Sequence, residues 1–460
     1  MSMPRVMADL LSWGHWLGCV LLLSMPFCHA AAADDPAADA ALQFMAAVQS
    51  ADTERINRLE QGVLQEKLDG EALVRLWKQL QVRWGDYRLC EPKETTPQSQ
   101  HTFVVLSCRF DKGAADVQLT LAKGLVAGIF IGAFHADAPA PASNIGFRES
   151  ELRFGQEGWE LPATLTLPSR DEDIVGAAVL VHGSGPLDRN ATVGETQLFR
   201  DLAVKLARAG IATLRYEKRT LHYAVRLARQ PDVTLDEETA VDAGMALDLL
   251  ASHTAPSFHC TFLVGHSLGA YLAPHIANNR SRLTGLVLLA PPGRRMVDVM
   301  LDQVDYLLTE PGGASGAEAP LRRRRDKLLA FRRDGLASSE GPGIWGRSAW
   351  SFFQTYDPLS AWLQHPVPTQ AVFAEKDYQV NAADQRAWQG LADRFPGLVD
   401  VALMPGVGHV FTPVTGRPSP QSYLVKAEAS DAMVERVVGF MRRRCPAAGH
   451  PNTEVASDRR

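Results

Sequence analysis

Residues 261–271 read Thr-Phe-Leu-Val-Gly-His-Ser-Leu-Gly-Ala-Tyr. The first four residues predict a buried strand, and the small residues that follow the second glycine predict a helix. A serine between two glycines at such a strand-to-helix turn is typical of a nucleophile elbow. Gly265 and Gly269 are needed because a Cβ at either position would collide with the neighbouring strand or helix. We therefore predict that Ser267 is a catalytic nucleophile, lifted out of a sheet.

Strands and helices alternate on both sides of this turn. Such alternation predicts a mostly parallel sheet with right-handed crossovers and helices on its faces. Residues 159–168 carry prolines near both ends and are interpreted as an edge strand. The predicted inner strands are 176–181, 211–216, 261–264, 283–290, 369–374 and 401–405, and the clearest helices are 199–209 and 234–250.

A glycine-rich turn, His182-Gly-Ser-Gly-Pro186, follows the first inner strand. Backbone N–H groups in such a turn can hold the negative oxygen of a tetrahedral intermediate. We predict an oxyanion hole made by the amides of Leu268 and of the Gly183 and Ser184 turn, with an ordinary tight turn as the alternative. His182 is interpreted as a structural hydrogen-bonding group and not as the base, because it lies at a strand end.

The base and its orienting acid are predicted from chain order. Asp377 follows the strand 369–374, and His409 follows the last strand in the sequence Gly-Val-Gly-His. The order Ser, Asp, His is known for a serine triad, in which histidine takes the serine proton and the carboxylate holds the imidazole. Asp377 is the best candidate by position, with Glu375 as the fallback and Asp384 as a weaker candidate.

The 460 residues divide by composition into several segments. Residues 1–33 carry Arg5, a short apolar run and a stretch of alanines, which predicts a cleaved signal peptide and export to the periplasm or medium; an uncleaved anchor is the alternative. We predict an N-terminal α+β domain at 34–134, a linker at 135–145, a catalytic domain at 146–445 and a disordered tail at 446–460.

The N-terminal segment has helical periodicity to about residue 80 and short strands from 84 to 134. It loosely resembles the small cone-like accessory domain that precedes some secreted bacterial esterases, and it carries no catalytic motif. An accessory or dimerising role is expected, and the oligomeric state is left open.

Four cysteines remain after the predicted cleavage site, and an oxidising compartment would allow them to pair. Cys90 and Cys108 lie in adjacent predicted strands, and Cys260 and Cys445 form the other plausible pair. Free buried thiols are the alternative, since sequence cannot determine connectivity.

The alternation stops at about 291–365, which predicts a cap inserted over the strand ends. Its aromatic stretch, residues 345–356, is expected either to line an acyl pocket or to pack the cap onto the sheet. The basic run at 322–325 is interpreted as a solvated helix face, with a substrate site as the alternative.

Residues from about 147 to 442 resemble the α/β-hydrolase superfamily, specifically secreted bacterial carboxylesterases with an N-terminal accessory domain. This resemblance implies an α/β-hydrolase fold with a helical cap, and hydrolysis of short to medium acyl esters through an acyl-enzyme. Glu217, where such relatives usually have Asp, and Thr220, where Gly is common, depart from the pattern. The residues that carry the resemblance are His182–Arg189, Leu214–Arg219, Gly265–Gly269, Tyr356–Pro358, Asp377–Val380 and Gly408-His409.

Rival functions use the same residues. A serine peptidase or amidase would share the triad, and a silent binding protein could keep the scaffold without activity. The net charge of −5 gives no reason to expect nucleic acid or an anionic membrane as a partner. No metal or organic cofactor is implied, and the expected partner is a small ester substrate.

Overall fold

The structure is a computed structural model that describes residues 35–136 and 146–445, apart from 195, 228–229, 231, 255, 279, 281, 310–317, 338–341 and 343–344. The predicted signal peptide, the rest of the predicted linker after residue 136 and the predicted tail lie outside the described residues. None of the helices in the described ranges has the length and apolarity needed to cross a membrane.

The N-terminal unit is a four-stranded antiparallel sheet preceded by helices. Aspartates begin three of the helices: Asp35, Asp52 and Asp69 each accept hydrogen bonds from backbone N–H groups of the first turn. The helices are α1 (Pro36–Gln49), α2 (Thr53–Leu59), α3 (Val63–Lys67) and α4 (Gly70–Trp84), and the strands, in spatial order, are β1 (Tyr87–Gln98), β2 (His101–Phe110), β3 (Gly113–Ala122) and β4 (Leu125–Ala136).

This unit has an apolar core of its own, in which Phe44 of α1 and Trp77 of α4 face the sheet. Cys90 and Cys108 are directly opposite each other on β1 and β2 and form a disulfide. The predicted pairing of these two cysteines is therefore confirmed. Whether the unit is a separate domain stays a prediction.

The second unit is built on an eight-stranded, mostly parallel sheet. Spatial order is β14-β13-β12-β11-β7-β10-β6-β5, and the six strands from β14 to β10 are parallel. The strands are β5 (Phe147–Phe154), β6 (Leu161–Pro168), β7 (Gly176–Val181), β10 (Ile211–Tyr216), β11 (Thr261–His266), β12 (Leu283–Leu289), β13 (Thr369–Ala374) and β14 (Val399–Met404), and a small hairpin joins β8 (Thr192–Val193) to β9 (Thr196–Gln197). The predicted α/β fold is confirmed.

One strand assignment from sequence is wrong. Strand β6 is not at the edge, because β5 pairs with it on the outside along its full length. The sequence of β5 contains four charged residues, Arg148, Glu149, Glu151 and Arg153. It therefore lacks the apolar run by which the other strands were predicted. Some of them are charge-paired: Glu149, for example, contacts Arg200 and Arg215.

Helices flank the sheet and complete the second unit. They are α5 (Leu198–Arg208), α6 (Arg219–His222), α7 (Ala224–Leu227), α8 (Val241–Ser252), α9 (Leu268–Ala277), α10 (Met296–Leu308), α11 (Glu318–Asp334), α12 (Arg347–Thr355), α13 (Pro358–Gln364), α14 (Ala382–Arg394) and α15 (Asp431–Arg444). A π-helical turn, Asp236–Ala240, precedes α8. Cys260, just before β11, forms a disulfide with Cys445 at the end of α15, as the second predicted pairing requires.

The insertion between β12 and β13 comprises α10 to α13. Trp350 and Phe353 of α12 are fully buried, and the Trp350 ring packs 4.9 Å from that of Phe331 on α11. Tyr271 and Tyr356 bind each other reciprocally, since each hydroxyl donates to the other residue's carbonyl oxygen. The aromatic stretch thus attaches the insertion to α9, the helix that follows the elbow.

Candidate active site

Ser267 occupies the sharp turn between β11 and α9. Its φ of 53° and ψ of −115° are strained for a residue with a Cβ. A Cβ on Gly265 would lie 2.5 Å from the Gly269 carbonyl oxygen, and one on Gly269 would lie 2.6 Å from that of His182. Both glycines are therefore required by close backbone approach, as the sequence predicted. The turn projects Ser267 from the carboxyl end of the sheet, where sites in parallel sheets lie.

His409 lies on the loop after β14, and its Nδ1 is 2.7 Å from Oδ2 of Asp377, which follows β13. Both residues are buried, with less than a tenth of their surface exposed. The other oxygen of Asp377 accepts from the backbone N–H groups of Gln379 at 2.7 Å and Val380 at 3.1 Å. With one oxygen bound to the backbone, the carboxylate has a fixed orientation and presents its second oxygen to the imidazole.

The two alternative acids have other partners. Glu375 accepts from the Gly406 N–H at 2.8 Å, so it joins the loop ends after β13 and β14. Asp384 is fully buried and pairs with Arg294. Neither carboxylate is recorded at His409 in the described part of the chain, whereas Asp377 is in direct contact with it.

Ser267 and His409 share one small cavity of about 110 Å³. Both polar and apolar residues line it. Gln379 and Tyr423, which sequence reasoning did not single out, also line it, and the Gln379 amide donates to the Tyr423 hydroxyl at 2.6 Å. The lining residues are Gly183, Ser184, Leu187, Ala191, Val193, Leu198, His266, Ser267, Gln379, His409, Val410 and Tyr423.

The turn after β7 lies against the elbow because β7 and β11 are neighbouring parallel strands. A Cβ on Gly183 would be 3.2 Å from the Cβ of Ser267, a tight contact that the glycine avoids. Leu268 is the first residue of α9, and the first N–H groups of a helix have no acceptor within it. Gly183 and Ser184 therefore line the same cavity as Ser267, and Leu268 is the residue that follows Ser267 in the turn.

His182 and His266 are both buried, and burial lowers the pKa of each to about 3. Both rings are therefore neutral. His182 Nε2 bonds the Asp188 carbonyl at 2.9 Å and so supports the loop after the glycine-rich turn. His266 Nε2 bonds the His409 carbonyl at 2.9 Å. His266 thus holds the loop that carries the candidate base.

Lys218 is a further buried residue of this region that sequence reasoning did not assign. It follows β10, the strand on the other side of β7, and its Nζ contacts both the Gly183 carbonyl oxygen and Glu238. In the sequence it belongs to the stretch Leu214–Arg219, one of those that carry the resemblance to α/β-hydrolases. A lysine two residues after a fully buried strand is a signal that could have identified it.

The departure at Glu217 is accommodated by an ion pair. Arg189 donates to Glu217 at 2.9 Å, and Glu151 and Thr164 also contact this arginine. Burial raises the pKa of the Glu217 carboxyl, and the nearby guanidinium acts in the opposite direction. The longer side chain is therefore part of a paired network beside the turn, outside the cavity.

The arginine run lies on α11. Arg322 is largely exposed and pairs with Glu318 one turn away, while Arg325 pairs with Asp305 of α10 and lines a second cavity of about 490 Å³. That cavity is lined by paired arginines and aspartates and does not include Ser267. The described residues of 345–356 do not line the Ser267 cavity either, so packing of the insertion accounts for the aromatic stretch there.

No group of three or more His, Cys, Asp or Glu side chains within the described ranges is arranged to hold a metal ion. The chemistry available at the cavity is that of a hydroxyl, an imidazole paired with a carboxylate, and backbone N–H donors.

Several known proteins are similar to this chain. Esterase EstD of Thermotoga maritima is 29% identical over 382 residues, which cover 82% of this chain and 88% of that protein. Among solved structures, Pyrococcus furiosus esterase Pf2001 is 13% identical with a TM-score of 0.41, over 67% of this chain and 97% of its own. Est1E from Butyrivibrio proteoclasticus, in a structure with ferulic acid bound, is 15% identical with a TM-score of 0.39, over 64% of this chain and 96% of its own.

The model of the alpha/beta hydrolase family matches residues 178–420, more than half of the chain. The match begins in β7, before the glycine-rich turn, and includes the elbow, Asp377 and His409. This chain belongs to the alpha/beta hydrolase family.

Proposed function

We propose that this protein is a serine carboxylic-ester hydrolase that acts through an acyl-enzyme on short to medium acyl esters. The observation that carries the proposal is the 2.7 Å contact between His409 and Asp377 beside a cavity that also contains Ser267. Similarity to a protein named as an esterase supports the reaction class.

The mechanism starts with proton transfer. His409, oriented by Asp377 through Nδ1, accepts the Ser267 hydroxyl proton at Nε2 while the serine oxygen attacks the ester carbonyl. The negative oxygen of the tetrahedral intermediate is held by the N–H groups of Leu268 and of the Gly183 and Ser184 turn. Collapse of the intermediate breaks the bond to the alcohol oxygen, which takes the proton from His409.

Water completes the cycle. It attacks the acyl-enzyme, gives a proton to His409 and releases the acid, and Ser267 regains its proton. The apolar lining residues Leu187, Val193, Leu198 and Val410 are suited to a hydrocarbon acyl group. Its volume of about 110 Å³ favours acyl groups near the short end of the range.

The proposal is tested with p-nitrophenyl esters of increasing chain length and with Ser267→Ala. We expect acetate and butyrate esters to be hydrolysed faster than the octanoate ester, and Ser267→Ala to lose at least about 10⁴-fold in kcat because the nucleophile is absent. Ser169→Ala, at an exposed serine, is the matched control and should retain full activity. Undiminished hydrolysis in Ser267→Ala would contradict the proposal.

Amide hydrolysis uses the same groups, so aminoacyl-p-nitroanilides belong in the same assay. Faster turnover of the anilides than of the esters would replace the esterase proposal with a peptidase or amidase. Stoichiometric labelling by a fluorophosphonate probe would count against a silent binding protein.

We also propose that the protein works in an oxidising compartment outside the cytoplasm. The two disulfides support this, because thiols in the cytosol are kept reduced. Expression with its own leader, followed by mass measurement of the mature chain, should give a product lacking about the first 33 residues. A full-length product retained in the cytoplasm would contradict export.

A further inference from the structure

Lys218 is a buried lysine beside the glycine-rich turn. Only 1% of its surface is exposed, and its Nζ has two recorded contacts. It donates to Glu238 Oε1 at 2.6 Å and to the Gly183 carbonyl oxygen at 2.9 Å. Burying an ion pair usually gives little or no net stability relative to apolar residues of similar size. The pair therefore invites a functional explanation.

The acceptor on Gly183 is half of an amide whose other half is the N–H of Ser184. A trans peptide is planar, so its C=O and N–H point in opposite directions. Lys218 holds the carbonyl end on the side of β10. The N–H end consequently points away from Lys218, and both Gly183 and Ser184 line the cavity that contains Ser267.

A charge at the carbonyl end also changes the strength of the donor. A cation hydrogen-bonded to an amide oxygen draws electron density toward that oxygen, and hydrogen bonds in a chain strengthen one another in a buried environment. The Ser184 N–H therefore becomes a stronger donor to a negative oxygen. Glu238 fixes the direction of the Lys218 ammonium group through the hydrogen bond at 2.6 Å.

The next residue provides an internal comparison. Arg219 is also buried and forms a two-point ion pair with Asp242, at 3.0 Å from Nε and 2.6 Å from Nη2. These recorded hydrogen bonds join α6 to α8 and do not involve the glycine-rich turn. Two buried ion pairs thus begin at adjacent residues, and one of them contacts the turn.

We propose that the Lys218–Glu238 pair positions and polarises the Gly183–Ser184 amide as a donor of the oxyanion hole, whereas Arg219–Asp242 is structural. Lys218 is then a positioning residue, since it acts on the reacting oxygen through the amide. This inference rests on the proposed esterase function and adds a component to its site.

The test replaces each pair in the same way. Lys218→Met with Glu238→Gln removes both charges together, so no buried ion is left unpaired, and Arg219→Met with Asp242→Asn is the matched control. We expect the first double variant to lower kcat by about 10- to 100-fold, less than the loss of a direct oxyanion donor, with KM changed by no more than about threefold. The control should lower the melting temperature but leave kcat within about twofold.

A trifluoromethyl ketone inhibitor gives a second readout, because its adduct with Ser267 carries a negative oxygen in the oxyanion hole. Its affinity should fall in parallel with kcat in the Lys218→Met/Glu238→Gln variant only. Unchanged kcat in that variant, or equal losses in both double variants, would overturn the inference.

Two further arms keep the outcomes distinguishable. If the first double variant does not fold, Lys218→Arg replaces it, because a planar guanidinium does not reproduce the single Nζ contact with Gly183. A fall in its kcat of at least about threefold at unchanged melting temperature supports the inference, and unchanged kcat overturns it. A wild-type protein that neither hydrolyses esters nor reacts with a fluorophosphonate would instead refute the proposed function itself.

Discussion

The second unit of this protein contains buried ion pairs in addition to exposed ones, whereas the ion pairs recorded in the N-terminal unit are all partly or largely exposed. In the N-terminal unit the recorded ion pairs lie on the surface, as with Arg88 and Asp111, whose side chains are 61% and 34% exposed. In the second unit the paired side chains of Lys218 and Glu238 are 2% and 8% exposed, and those of His409 and Asp377 are 6% and 0% exposed. Exposed pairs contribute little to stability, and buried ones are costly.

The difference follows from sheet type. The N-terminal sheet is antiparallel, so successive strands end at opposite edges. In the second sheet the carboxyl ends of the six parallel strands all lie on the same side of the sheet. The turns that follow five of these strands carry, in the order β7, β10, β11, β13 and β14, the residues Gly183, Lys218, Ser267, Asp377 and His409. Convergence of buried polar groups at such an edge is typical of a functional site. The comparison indicates that chemistry resides in the second unit.

The largest expected effect comes from the candidate triad. Asp377→Asn should lower kcat by about 10⁴-fold, because an amide favours the wrong imidazole tautomer and does not stabilise its charged form. Asp111→Asn, a paired aspartate of the N-terminal unit, is the matched control. Ester hydrolysis by both variants, corrected for folded protein by circular dichroism, makes the comparison. A similar loss in the Asp111 variant would remove the contrast between the two units.

The disulfides should differ in their effect on stability. The chain-entropy model relates the stabilisation to the length of the closed loop, and the sequence separations are 185 for Cys260–Cys445 and 18 for Cys90–Cys108. Replacing the first pair by serines should lower the free energy of unfolding by about 5 kcal/mol, and replacing the second by about 3 kcal/mol. Both changes in the free energy of unfolding are measured by urea unfolding, with hydrogen exchange of each sheet as the probe. Equal effects, or the reverse order, would contradict the entropic explanation.

A core substitution in the N-terminal unit tests whether the units are independent. Phe44 is fully buried in that unit's core. Phe44→Ala should lower the unit's free energy of unfolding by about 3–5 kcal/mol through lost burial and a cavity, while kcat for ester hydrolysis stays within about twofold. Hydrogen exchange in β1 to β4 and steady-state kinetics are the two measurements. A large fall in kcat would show that the N-terminal unit supports the site directly.

The smallest expected effect is a pH slope. His266 has a pKa of about 3 in the folded protein and about 6.5 in the unfolded chain, so between these values the unfolded state binds one more proton. Its contribution to stability is present above pH 6.5 and is lost as the pH falls, by about 1.4 kcal/mol per pH unit. His266→Gln should flatten the dependence of the unfolding free energy on pH between 4 and 6 by that amount.

The matched control for this slope is His101→Gln, at an exposed histidine of the N-terminal unit. Chemical denaturation at half-unit pH intervals is the measurement. The control should leave the slope as in the wild type, and a slope unchanged in the His266 variant would contradict neutral burial of that ring.

Much of the second unit could be predicted from local sequence. The alternation of apolar strands with amphipathic helices indicated the parallel sheet, and the glycines around Ser267 indicated the elbow. These features depend on backbone sterics and on side-chain periods within a few residues, so a short stretch of sequence determines them. The choice of Ser267, Asp377 and His409 likewise depended only on their order in the sequence and on the predicted strands before them.

Other features depend on groups that are far apart in the sequence and were decided only by the tertiary structure. These include the contact of Asp377 with His409 while Glu375 and Asp384 have other partners, the edge position of β5, and the use of the aromatic stretch in packing. The two cysteine pairings were among several that the sequence allowed. Lys218 received no role until the fold placed it under the Gly183 carbonyl, 35 residues earlier in the chain.

The physical reason is the range of the interactions. Strand, helix and turn preferences act over a few residues, whereas the partner of a buried charge is set by which strand lies next to which. Local sequence was therefore enough for most of the inner strands and helices of the second unit and for the sharp turn at Ser267, but not for β5. The packed sheet was needed to identify the acid that contacts His409, the cysteines that pair and the lysine that contacts Gly183. Each of these buried groups contacts the partners that neighbouring strands and their loops place beside it.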